Sequence, residues 1–92
     1  MGVRRYAAKR DANEGEIIEA LRHVGASVVQ LSAKGLPDLL IGFRGQTFLA
    51  ETKTRRGKLT DAQKQFIEDW DGAPVLIVRS VDDALIGIGA IL

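Results

Sequence analysis

Two carboxylates and one amine occur at a spacing that could bind a metal ion. Glu51 and Lys53 lie two positions apart in a β-rich run, and Asp38 begins the preceding one. Because side chains alternate along a strand, Glu51 and Lys53 would share one face, roughly 7 Å apart along the chain. Mg²⁺ accepts one or two carboxylates, so Asp38, Glu51 and the backbone carbonyl of Thr52 form a suitable ligand set. The alternative is a solvated face on an edge strand, although the apolar residues before Glu51 favour an interior strand.

Glu14 lies on the inward side of the first predicted helix. At about 100° per residue it falls on the same side as Leu21, whereas Glu16 falls on the solvent side. This position predicts a role at a site near the sheet. Asp11 or Asn13 can cap the helix, and the alternative for Glu14 is a capping box with Asp11. The sequence leaves both interpretations open.

Gln63 raises a similar question on the second predicted helix. With Phe66, Ile67 and Trp70 it follows the i, i+3, i+4, i+7 pattern, which places a polar amide on an apolar stripe. A buried amide needs hydrogen-bond partners. The alternative is a capping box that begins at Thr60, in which Gln63 has a structural role.

The basic residues are clustered, although the net charge is only +1. Clustering of this kind suits contact with a phosphate backbone. Ordinary solvated charges are the alternative. The two clusters lie at the amino terminus and in one loop, and they comprise Arg4, Arg5, Lys9 and Arg10, then Arg55, Arg56 and Lys58.

Hydrophobic periodicity and turn residues predict the elements that would position these side chains. Arg44-Gly45 is the predicted tight link of a hairpin. The order is α-β-β-β-α-β, and a strand, helix and strand in succession predict that the fourth strand lies parallel to the third. We therefore expect an α/β fold with a mixed four-stranded sheet flanked by helices. The predicted elements are a helix over 14–24, strands over 27–31, 38–43 and 46–54, a helix over 60–70 and a strand over 75–79.

Length and composition predict one globular domain over residues 1–92. The chain is 46% hydrophobic and 27% charged, and no apolar run approaches the ~20 residues of a membrane span. It has no cysteine and one histidine, which disfavours a zinc site and makes an intracellular location the default. A domain this small gains from oligomerisation. One helical turn is expected from Ser80. The uncharged segment that follows it, Ala84 to Leu92, has no predicted secondary structure and would pack on the domain's own sheet, form the centre of a dimer, or both.

Together these motifs resemble the PD-(D/E)XK nucleases, and among them the stand-alone VRR-NUC domains of bacteriophages. The α-β-β-β-α-β order is also the core of that restriction-endonuclease-like family. A fainter resemblance to archaeal Holliday-junction resolvases is visible in the same places. The resemblance covers most of the chain and rests on Glu14 with Ile17, Leu21 and Gly25, then Lys34-Gly35-Leu36-Pro37-Asp38, then Phe48 to Lys53, then Leu59-Thr60 to Gln63.

The resemblance implies a role for each candidate residue. Asp38, Glu51 and the Thr52 carbonyl would bind Mg²⁺, for which Mn²⁺ substitutes, and Lys53 would orient or activate the attacking water. The implied catalytic set is Glu14, Asp38, Glu51, Lys53 and Gln63. The implied DNA-binding set is Arg4, Arg5, Lys9, Arg10, Lys34, Arg55, Arg56 and Lys58.

The expected activity is therefore metal-dependent hydrolysis of DNA phosphodiester bonds. A homodimer acting on branched DNA is the leading expectation, because a two-fold dimer presents two equivalent sites to the two equivalent strands of a four-way junction. The alternatives are a nuclease acting on flap or ordinary duplex DNA, and a catalytically silent DNA-binding or assembly subunit with the same fold. The expected location is the cytoplasm, with a phage-encoded protein acting in that of the host.

Overall fold

The structure is a computed structural model, and it describes residues 11–92. All six predicted elements are present in the predicted order, each with its ends within two residues of the expected positions. A third helix follows the last strand. The elements are α1 (Glu14–His23), β1 (Ser27–Gln30), β2 (Leu39–Phe43), β3 (Gln46–Thr52), α2 (Asp61–Asp69), β4 (Leu76–Val78) and α3 (Val81–Gly87).

The four strands form one mixed sheet in the order β1-β2-β3-β4. The pairs β1·β2 and β2·β3 are antiparallel, whereas β3·β4 is parallel as expected for a strand, helix and strand in succession. Arg44 and Gly45 form the predicted hairpin link, and both have positive φ, 51° and 80°. A two-residue link with positive φ at both positions suits the right-handed twist of an antiparallel pair. The prediction that β3 is an interior strand is confirmed.

One face of the sheet, which we call the packed face, is covered by α1 and α3 and holds the hydrophobic core. Ile17 and Leu21 of α1 pack there against alternate residues of the strands, such as Leu39 and Ile41. All four side chains are fully buried. Burial of apolar surface on this face supplies most of the driving force for folding.

The carboxyl-terminal segment contributes to the packed face. The expectation of a single helical turn was wrong, because α3 is seven residues long and Ser80 caps it by accepting from the Asp83 amide at 3.0 Å. Ala84 and Ile88 belong to the core. Packing on the domain's own sheet is therefore confirmed for this part of the segment, while Ile86 and Ile91 are exposed.

The opposite face, which we call the α2 face, is filled much less completely. The apolar stripe predicted for α2 is only half-buried, and none of the residues Asp61–Asp69 is fully buried. Phe66 and Trp70 stack with ring centroids 5.3 Å apart, yet Trp70 stays 44% exposed. Trp70 is the residue that ends α2, so it packs on Phe66 while much of its side chain stays exposed.

None of the three helices within residues 11–92 is long and apolar enough to cross a membrane.

Candidate active site

The hairpin brings the two predicted metal ligands to the same end of the sheet. Leu39 pairs with Ala50 in the antiparallel register, so the next residue outward on each strand is Asp38 or Glu51. Glu51 also pairs with Ile77 of β4, which places it on an interior strand. The alternative of a solvated face on an edge strand is therefore wrong.

Glu51 is fully buried, which is unusual for a carboxylate. Its Oε1 accepts from Gln63 Nε2 at 3.3 Å, whereas its buried Oε2 has no hydrogen-bond partner among residues 11–92. The pKa of Glu51 is raised from 4.5 to about 8, mainly because the carboxyl group is buried and next because the Asp38 carboxylate lies beside it. Asp11 acts in the same direction, while Lys53 lowers the pKa. A buried acid beside another acid, with one oxygen unsatisfied, is an arrangement suited to a cation.

Lys53 follows Glu51 on the same side of the chain. Its side chain is only 9% exposed, although β3 ends one residue earlier, at Thr52. The Lys53 amide still donates to the Val78 carbonyl at 2.9 Å, so backbone pairing with β4 continues to Lys53. The amine is thus held on a rigid part of the backbone beside Glu51.

Thr52 links Asp38 to the first helix. Its amide donates to Asp38 Oδ2 at 2.8 Å, and its hydroxyl lies 3.0 Å from the same oxygen. The hydroxyl is also 2.8 Å from Glu14 Oε1. Thr52 therefore orients two acids through its amide and side chain, while the role of its carbonyl as a metal ligand stays a prediction.

Glu14 points inward, as its helical phase predicts. It is buried, and its Oε2 accepts from Gln30 Nε2 at 3.0 Å while Oε1 contacts the Thr52 hydroxyl. The placement near the site is confirmed, and Glu16 is exposed as expected. The capping-box interpretation was wrong, because the carboxylate is turned toward the sheet.

Gln63 combines the two functions that the sequence left as alternatives. Its backbone amide donates to the Thr60 hydroxyl at 3.1 Å, and its Oε1 accepts from the Thr60 amide at 2.8 Å, which completes a capping box. The remaining part of the amide, Nε2, donates to Glu51. The cap of α2 therefore fixes the side chain that holds the buried carboxylate.

The basic residues divide into two groups. Arg4, Arg5, Lys9 and Arg10 lie outside the described residues. Lys34, Arg55, Arg56 and Lys58 are exposed, with the last three in the loop that joins β3 to α2. This loop follows directly after Lys53, so exposed positive charge lies next to the candidate site.

The donor set is compatible with a hard cation held by few protein ligands. No group of three or more His, Cys, Asp or Glu side chains within residues 11–92 is placed to hold a metal ion. Mg²⁺ does not need such a group, because it is commonly bound by one or two carboxylates together with waters and substrate phosphates. The unsatisfied Oε2 of Glu51 beside Asp38 fits that coordination.

Three residues near the site were not predicted from sequence to contact it. Asn13 occupies the cap position of α1, but its side chain makes no capping bond within the described residues and instead donates to the carbonyls of Lys53 and Arg79, both at 3.1 Å. Gln30 donates to Glu14. Arg79 contacts the basic loop. Each is a polar residue at the end of a helix or strand. The hydrophobic periodicity does not extend there, so it does not predict which residue the side chain contacts.

The chain was compared with protein-family models, with curated proteins and with solved structures, and none of them matches it. Its chemistry has to be inferred from its own residues.

Proposed function

We propose that the chain is a Mg²⁺-dependent DNA endonuclease with a PD-(D/E)XK-type active site. The observation that carries the proposal is the buried carboxylate of Glu51, which lies beside Asp38 and Lys53 with one oxygen unsatisfied. An acid whose pKa is raised by burial and a specific neighbour is typical of functional sites. A purely structural carboxylate would have hydrogen-bond donors on both oxygens.

Each residue then has a chemical task. Asp38 and Glu51 would hold Mg²⁺, with the Thr52 carbonyl as the third protein ligand. When bound, Mg²⁺ supplies a water of lowered pKa and a positive charge that offsets the charge developing on the phosphate. Lys53 would orient the attacking water and place a second positive charge near the scissile phosphate.

The surrounding residues would position this set. Gln63 donates to Oε1 of Glu51, which leaves Oε2 for the metal. The Thr52 hydroxyl contacts both Asp38 and Glu14. Contacts of this kind fix the orientation of metal ligands, and their loss commonly costs affinity or activity. Lys34, Arg55, Arg56 and Lys58 would contact phosphates outside the reacting bond.

We infer branched DNA, such as a four-way junction, as the preferred substrate, cut by a homodimer. Ile86 is 51% exposed and Ile91 is also exposed, so the end of the chain offers apolar surface to a second copy. Two equivalent active sites related by a two-fold axis match two equivalent strands.

A panel of DNA substrates tests the proposed activity. Labelled duplex, single strand, flap and four-way junction are incubated with Mg²⁺, Mn²⁺ or EDTA, and cuts are mapped on both strands. We expect metal-dependent cleavage with preference for the junction, and none with Glu51→Gln. Binding to all four without cleavage under any metal would replace the proposal with a silent DNA-binding subunit.

Light scattering at several concentrations tests the dimer separately. Ile86→Asp should give a folded monomer that no longer makes paired cuts in the junction. Ile88→Asp is unsuitable for this test, because Ile88 is part of the core. Wild-type protein that stays monomeric at tens of micromolar would refute the dimer and leave the nuclease proposal standing.

A further inference from the structure

The loop between β3 and α2 carries three exposed positive charges in a short stretch, Arg55, Arg56 and Lys58. Like charges repel, so such a segment would tend to extend away from the domain. The loop instead forms a compact turn, in which the Gly57 amide donates to the Thr54 carbonyl at 3.1 Å. A Cβ atom on Gly57 would lie only 3.0 Å from Thr54 Oγ1, so this residue has little room for a side chain.

Arg79 holds the inner side of this turn. Its Nη1 lies 2.8 Å from the Thr54 carbonyl, 2.6 Å from that of Gly57 and 3.4 Å from that of Arg55. The guanidinium thus donates hydrogen bonds to backbone oxygens of the loop. Because the carbonyls face inward to this cation, the basic side chains of the loop remain free to face outward.

The backbone of Arg79 is itself fixed from two sides. Its amide donates to Asp83 Oδ2 at 2.9 Å, and its carbonyl accepts from Asn13 Nδ2 at 3.1 Å. The same Asn13 nitrogen donates to the carbonyl of Lys53 at 3.1 Å. The Asn13 side chain, at the cap position of α1, therefore joins the Lys53 backbone to Arg79, the residue that contacts the loop.

We propose that Arg79, supported by Asn13, is a positioning residue that presents the Arg55, Arg56 and Lys58 charges to the DNA backbone beside Lys53. The inference rests on the proposed function, since it concerns how that site binds its substrate. Arg79 acts through the shape of the loop and does not touch the reacting phosphate. An ordered loop loses less conformational freedom on binding, so the effect is on DNA affinity more than on the chemical step.

The test compares Arg79→Lys and Arg79→Gln with wild type and with Arg22→Gln. Arg22 is a matched control, because it also donates to a backbone carbonyl, that of Val28 at 3.0 Å, but away from the loop. Lysine keeps the charge of Arg79 without the planar fork of donors. Three measurements are made: hydrogen exchange at the 55–58 amides without DNA or metal, affinity for a labelled duplex in EDTA, and the single-turnover cleavage rate at saturating DNA with Mg²⁺.

Both Arg79 variants should exchange the loop amides faster and bind DNA about tenfold more weakly, with a saturating rate within about threefold of wild type. Arg22→Gln should leave all three unchanged. Wild-type affinity in Arg79→Lys combined with weak binding in Arg79→Gln would overturn the proposal in favour of a direct charge contact, and unchanged exchange would show that Arg79 does not hold the loop.

Failure of the nuclease proposal would be visible separately. If wild-type protein does not cleave, the exchange and affinity measurements still decide the role of Arg79. Circular dichroism checks the fold of each variant. If Arg79→Gln does not fold, Arg79→Lys decides the outcome. Slow exchange of the loop amides together with wild-type DNA affinity in Arg79→Lys would contradict the proposal without data from the other variant.

Discussion

The packed face and the α2 face belong to the same sheet but differ in how completely they are filled. On the packed face, α1 and α3 bury apolar residues such as Ile17, Leu21 and Ala84. On the α2 face, the helix contributes no fully buried residue, yet the strand beneath it buries the carboxylate of Glu51. Burial on the first face stabilises the fold, whereas burial of a carboxylate on the second is a cost.

The incompletely filled face is the one that carries the candidate site. A fold supported mainly from one side can tolerate an unfavourable group on the other. Gln63 illustrates the point, because α2 packs little but its cap places the Gln63 amide on Glu51. Local violations of folding rules are expected at functional sites. We therefore expect truncation of apolar residues on the packed face to lower stability most, and changes to Asp38, Glu51 or Lys53 to lower activity most.

The largest effect should come from the site itself. Asp38→Asn, Glu51→Gln and Lys53→Ala should each lower the cleavage rate by roughly a thousandfold or more, because the residues act as a unit. DNA affinity should change little, since it depends mainly on phosphate contacts made by basic residues. Single-turnover assays and binding in EDTA measure the two quantities. Near-wild-type cleavage in any of the three would remove that residue from the site.

Truncation of a core residue should lower stability more than truncation of a residue on α2. Leu21→Ala on the packed face should lower the free energy of unfolding by about 2–5 kcal/mol, because it leaves a cavity among fully buried neighbours. Ile67→Ala on α2 should lower it by only about 1 kcal/mol, since Ile67 is half-buried. Urea titrations measure both. Equal losses would mean that α2 is packed more tightly than its exposure indicates.

Glu14 and Glu16 belong to the same helix, but only Glu14 is buried. Glu14→Gln should lower activity roughly 10- to 100-fold, because it disturbs the contact through Thr52 to Asp38. Glu16→Gln should have no effect, because that side chain is exposed. Cleavage rates with matched thermal melts test the pair. Similar losses in both variants would show that the helix acts through its charge and not through this contact.

Titration of Glu51 predicts that stability without metal depends on pH. Because the pKa of Glu51 is raised from 4.5 to about 8 in the fold, the folded protein keeps a proton that the unfolded chain has released between those values. The free energy of unfolding should therefore fall as pH rises through that window. Glu51→Gln, which cannot titrate, should lack this component.

Urea titrations in EDTA from pH 4 to 9 measure the difference between the two proteins. That difference should grow with pH and level off above about pH 8. Addition of Mg²⁺ should stabilise wild type more than Glu51→Gln at the high end, because a ligand that binds only the folded state stabilises it. Parallel curves for the two proteins would contradict the raised pKa.

Local patterns were enough to predict six of the seven elements, their order and the direction of β4. The signals are local: apolar residues at helix spacing, β-rich runs and the Arg44-Gly45 link. A strand, helix and strand in succession then predict that β3 and β4 are parallel. The same alternation predicted that Glu51 and Lys53 share a face. The inward phase of Glu14 followed from its helix alone, since the helical period decides which side a residue occupies.

The connections between elements depended on the tertiary structure. Asn13 reaches Arg79 across 66 positions, and Thr52 reaches Glu14 across 38. A single polar residue at the end of an element has no periodicity, so its partner is defined only when the chain is folded. The sequence left the capping and site roles of Glu14 as alternatives for the same reason. Only the packing of α1 against the sheet turns its carboxylate to Thr52 and Gln30.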